Sequence, residues 1–130
     1  MRHDVRVVVI VRTVTGESHL SVYCESDVGD LVGHWRGDKP PEVGSEQHVE
    51  LDAAGPLVWS EGHAIAAPDG VSEHGQALTG LVEDVEGDSV FVRVGGSIVL
   101  LEVEGKQPIG VVGGPVTVRP SAFELWPTSV

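Results

Sequence analysis

The sequence predicts an all-β chain folded as a single small antiparallel barrel domain of about eight strands spanning residues 1–130. Three observations lead there. Val occurs 25 times, and β-branched side chains lose rotamer freedom in helices but pack well on pleated surfaces. No window of 11 to 18 residues keeps apolar residues at helical spacing without an intervening Gly or Pro, so any helix is limited to one or two turns. Short β-rich runs instead recur with turn residues about every 8 to 12 positions, the spacing of small sandwiches and barrels.

The first run is Val5 to Val14, in which Arg6 and Arg12 share a face and apolar residues occupy both, as in a long strand covered on both sides only in its middle. Thr15-Gly16-Glu17-Ser18 turns the chain, and Leu20, Val22 and Cys24 then alternate with polar residues, the period of a strand with one buried face. After a turn at Asp27 to Asp30, Leu31, Gly33 and Trp35 fall on one side of a third strand. Asp38-Lys39-Pro40-Pro41 ends it, because prolines cannot donate to a ladder. Val49, Leu51 and Ala53 alternate with His48, Glu50 and Asp52, giving an amphipathic strand whose polar face is anionic. Leu57 to Trp59 reads as a short strand, and Ala64 to Ala67 as either a strand or a helical turn.

Further along, Leu78 to Val85, Ser89 to Val94 and Ser97 to Val103 are three β-rich runs. Gly95-Gly96 joins the last two, and two glycines can both take the positive φ of a type I′ hairpin. A Gly-rich loop from Pro108 to Pro115 leads into Val116 to Arg119 and Phe123 to Trp126, where Trp126 faces away from Phe123 and Leu125. Glycine inside strands, at Gly33 and Gly80, favours a curled, closed sheet over a flat sandwich. From Thr79 to Pro127, a Gly-initiated strand, two tight hairpins, a Gly-rich loop and a final strand resemble oligonucleotide/oligosaccharide-binding (OB-type) barrels. That resemblance implies a barrel and leaves the chemistry open, since one fold hosts many functions.

Charge narrows the function. With 20 Asp and Glu against 8 Lys and Arg, the net charge of -12 repels phosphate backbones, so nucleic acid is not an expected partner. The apolar start is interrupted by Arg6 and Arg12, unlike a secretory signal or a membrane span, and one Cys forms no internal disulfide. The expectation is a cytoplasmic protein without a membrane partner.

Catalytic motifs are missing. No Gly-x-Ser-x-Gly elbow occurs among the serines. Cys24 has His19 five residues away, but it lies on the apolar side of its strand and reads as an inert core thiol. The histidines show no His-x-His or His-x-x-x-His pair. Glu61, His63, Asp69, Glu73 and His74, though close in sequence, read as solvated loop residues rather than cation ligands. Gly110 to Gly114 precedes a strand, not the helix that a phosphate cradle requires. The expectation is no enzyme activity, no metal and no cofactor.

Two surfaces stand out instead. Glu83, Asp84, Glu86 and Asp88 lie together at a hairpin with no Lys or Arg beside them in the chain, the kind of loop that steers toward an Arg/Lys-rich surface. Trp35 and Arg36 are adjacent members of the residue types enriched in binding hot spots, although Trp35 and Trp59 also read as core fillers. These features point to a non-enzymatic acidic binding protein that occludes a basic protein partner, with those four acids as its electrostatic patch and Trp35 with Arg36 as its anchor. In size, charge and compartment the chain resembles acidic bacterial toxin-immunity proteins, which implies an inhibitor of a basic toxin domain. Two other readings stay open. A small-ligand or sugar pocket in the barrel mouth requires Trp35, Trp59 and Trp126 to converge. A structural or accessory subunit requires an uncovered edge, for which Val5 to Val14 is the candidate.

Overall fold

The computed structural model describes residues 4–61 and 63–128, and the regular elements among them are all strands. There are eleven rather than about eight. Five of them close into a barrel. Strand β1 (Arg6–Thr15) pairs antiparallel with β2 (Ser21–Ser26) on one side, and β2 pairs with β3 (Leu31–Trp35). On its other side β1 pairs with β4 (Glu46–Ala54). The ring is completed from the far end of the chain by a strand at Ala122–Pro127, which runs antiparallel to β4 and parallel to β3. The barrel is therefore antiparallel except at one pair.

The other strands form a six-stranded sheet. β5 (Val58–Ser60) and β6 (Ala64–Ala66) make a short hairpin, so the ambiguous stretch at Ala64 is a strand. β7 (Leu78–Glu86), β8 (Ser89–Val94) and β9 (Ser97–Glu102) form a meander. β10 (Pro115–Arg119) lies between β6 and β7, parallel to the first and antiparallel to the second. The strand at Ala122–Pro127 is β11. A single parallel bridge between Val58 and Glu104 ties the β5 edge to the chain just beyond β9, so this sheet is curled until its edges meet. Residues 79–127, which carry the OB-type resemblance, supply most of this sheet and only β11 of the closed barrel. β1 has a partner on each side, β4 along Arg6–Ile10 and β2 along Val9–Thr15, so it is not an edge strand of the barrel.

One hydrophobic cluster runs through both sheets, from Val9, Val22 and Phe123 inside the barrel to Val92, Val99 and Val118 inside the curled sheet. β1 is buried mainly on one face: Val7, Val9 and Val11 are inside, while Val8 is exposed and Ile10 half-buried. Polar contacts pin the two sheets together. The side chain of Gln76 accepts from the backbone N–H of Val32 and donates to its carbonyl, 2.7 Å each, completing the β3 ladder where β11 does not reach. Ser97 donates to the Asp27 carboxylate at 2.8 Å across the gap between the sheets.

Glycines at the hairpin and in β7 permit close approach. Gly95 has φ 59° whereas Gly96 is not in the positive region, so the two-residue turn between Val94 and Ser97 follows the type II′ pattern and not type I′. A Cβ on Gly95 would also stand 2.2 Å from the Asp27 carbonyl oxygen, so the barrel's β2–β3 turn rests directly on this hairpin. Gly80 is confined in a different way, since a Cβ there would lie 2.2 Å from the Arg93 carbonyl of β8. The bulges lie elsewhere, at Arg12 in β1 and Glu83 in β7, where the pairing registers shift. Gly80→Ala should therefore separate β7 from β8 and cost about 2 kcal/mol or more in urea unfolding; a loss within about 0.5 kcal/mol would show that this contact is not tight.

Candidate functional site

The acidic run at 83–88 occupies the β7–β8 hairpin, and the fold divides it. Glu83 is the bulged residue, and Arg93 on β8 grips its carboxylate with two hydrogen bonds, Nε at 3.0 Å and a terminal nitrogen at 3.1 Å. That carboxylate raises the Arg93 pKa in turn. Asp84 accepts the N–H of Val85 at 2.9 Å. Glu86 and Asp88 flank Gly87 (φ 61°) at the exposed tip, and neither forms an ion pair among the described residues. The lack of a cationic neighbour thus holds along the chain but not across the ladder: the partner of Glu83 is ten residues away in sequence and one strand away in space.

Trp35 and Arg36 both line one cleft but differ in burial. Trp35 is 8% exposed inside the barrel and its indole N–H donates to the Lys39 carbonyl at 2.8 Å, so it is a core residue. Arg36 projects to the outer surface, where its Nε donates to Glu124 at 2.7 Å and a terminal nitrogen donates to the same oxygen. The guanidinium lies 6.0 Å from the ring centroid of Trp126. Trp126, 45% exposed, is the tryptophan that the barrel presents outward, while Trp59 is half-buried against the core. The three tryptophans do not converge, as a ligand pocket built from them would require.

Several concavities mark the described surface. A cleft of about 310 Å³ lies where the barrel meets the curled sheet, lined by Glu50, Leu51 and Asp52 of β4, Trp126 of β11, Leu100 and Glu102 of β9, and Val5. Glu50 is directly cross-strand from Trp126. Glu102 faces Ser89, whose hydroxyl donates to it at 2.6 Å, so the acidic surface of this cleft adjoins the turn end of the β7–β8 hairpin. A second cleft of about 510 Å³ is bounded by His19, Leu20, His34 and Arg36 among others, and His34 meets Glu73 at 2.8 Å beside it. The third, about 340 Å³, lies within the β9–β10 loop under the fully exposed Ile109. Sequence reasoning missed the first cleft. Its signals were present in the anionic outer face of β4 and the outward parity of Trp126, but nothing local placed β9 alongside them.

Among the described residues no three His, Cys, Asp or Glu side chains gather to hold a metal ion, and Glu73 of the His/acid-rich loop pairs with His34 instead. Cys24 is fully buried, and burial together with the nearby Asp30 charge pushes its thiol up to about 12. The neutral thiol is therefore the form the fold retains, and its contribution to stability is complete below the ordinary value of 9.0 and lost as pH rises from there toward about 12. At pH 8 the native protein should resist iodoacetamide at Cys24 while the urea-unfolded chain reacts; rapid modification of the native form would place this thiol at the surface. Comparison of the chain with protein-family models, with curated proteins and with solved structures finds no match.

Proposed function

We propose that this chain is a non-enzymatic acidic binding protein that docks on a basic surface of another protein and occludes it, in the manner of bacterial toxin-immunity proteins. The observation that carries the reading is how its charges are distributed. Four of the six arginines are each bound to a carboxylate of the chain itself: Arg6 to Asp4, Arg12 to Glu25, Arg36 to Glu124 and Arg93 to Glu83. Arg6 holds the Asp4 carboxyl down to about 2, a sign of how fully that cation is engaged. What is left over is negative, and part of it is concentrated at the hairpin tip, Glu86 and Asp88, and around the cleft formed by Glu50, Asp52 and Glu102. A surface of this kind draws in a cationic partner by long-range steering and repels nucleic acid.

The scaffold suits such a role. What supports an OB-type reading is the closed five-stranded barrel, in which β11 enters between β3 and β4 and lies parallel to β3, although of residues 79–127 only β11 belongs to it. No helix of the described residues is long and apolar enough to cross a membrane. A cytoplasmic setting fits a chain whose single cysteine is a free, buried thiol.

The test begins with a pull-down from the source lysate at low and high salt, followed by association kinetics with the retained protein. The expected partner carries a basic face, and its association rate falls at least about tenfold between 0.05 and 0.5 M salt. The double variant E86Q/D88N should slow association severalfold and change dissociation little. A neutral or acidic partner, or a rate indifferent to salt, contradicts the proposal.

A further inference from the structure

We infer that the cleft between the barrel and the curled sheet is a socket for one arginine side chain of the partner. The inference rests on the acidic-binding reading above and goes beyond it by naming the place and the cation. Two features of the cleft select a guanidinium. Its carboxylates, Glu50, Asp52 and Glu102, come from two different sheets, and no cationic side chain lines it. Arg6, which is cross-strand from Glu50, is tied to Asp4 at 3.0 Å. These acids ring the opening; among the described residues no three such groups gather around a point, as a metal ion would require. A planar cation with several donors fits carboxylates spread around the apolar surfaces of Leu100 and the Trp126 indole better than a compact one does.

The second feature is Trp126. The protein's own Arg36 already places a guanidinium 6.0 Å from this ring while bonding to Glu124, the carboxylate two residues away on β11. The same indole lines the cleft next to Glu50, its direct cross-strand neighbour, so an incoming arginine would meet the same pairing of indole and carboxylate. Lysine would gain the charge contact but neither the bidentate bonds nor the stacking of a flat group. At about 310 Å³ the cleft has room for a side chain rather than a large ligand.

The test is a titration followed by two-dimensional amide NMR on the whole chain, with Nα-acetyl-arginine amide, Nα-acetyl-lysine amide and hexalysine as separate probes. The blocked arginine should shift the Trp126 indole N–H saturably, with the blocked lysine at least about fivefold weaker. The shift should vanish in E50Q/E102Q, whose substitutions keep side-chain size and leave the remaining spectrum as a control for folding. A Trp126 signal unmoved by arginine, or moved equally by lysine, overturns the socket. Hexalysine separates the two levels of the reading. If it binds and E86Q/D88N weakens it while Trp126 stays unmoved, the socket fails and the acidic-surface reading stands; if no cationic probe binds anywhere, both fail.

Discussion

β11 arrives from the far end of the chain and inserts between β3 and β4, and the backbone ladders it makes with both strands close the barrel. Without it β3 and β4 would each present unpaired N–H and C=O groups along a flank, which is the route by which sheets aggregate. Phe123 and Leu125 enter the core with it, both essentially buried. The same insertion puts Glu124 under Arg36 and Trp126 beside Glu50 on the outer face. The surface chemistry of this protein is thus a by-product of how its barrel is closed.

The curled sheet depends on the barrel in turn. Its β8–β9 hairpin is seated on the β2–β3 turn through Ser97 and Asp27, and the connection from β6 to β7 is strapped across β3 by Gln76 and by Glu73 at His34. These contacts hold β9 alongside β1 and β4, where Leu100 and Glu102 form the far wall of the acidic cleft. A rigid junction matters for binding, because carboxylates already fixed in place lose little further freedom when a cation arrives.

Local pattern in the sequence was enough for the all-β class, the alternation of β4, the Gly95-Gly96 hairpin and the outward parity of Trp126. It failed where pairing is remote. Nothing near Leu31 announces that β3 will run parallel to Phe123, and nothing near Leu78 announces that β10 will separate β7 from β6. The electrostatics failed for the same reason. Glu83 looks unneutralised until the bulge after Val82 and the turn of β8 bring Arg93 against it. Arg36 looks like a free anchor until β11 supplies Glu124. Trp35 is next to an arginine in the chain and on the opposite side of the strand in space, the ordinary outcome of a period of two.

The central claim is that the surplus carboxylates are where a cationic protein lands. Hydrogen-exchange mass spectrometry of the protein with and without its captured partner maps that footprint directly. The account predicts slowed exchange at the tip of the β7–β8 hairpin and along β4, β9 and β11 around Glu50, Glu102 and Trp126, with the rest of the surface unchanged. Protection confined to the apolar loop around Ile109, or to the cleft bounded by His19 and His34, would contradict it.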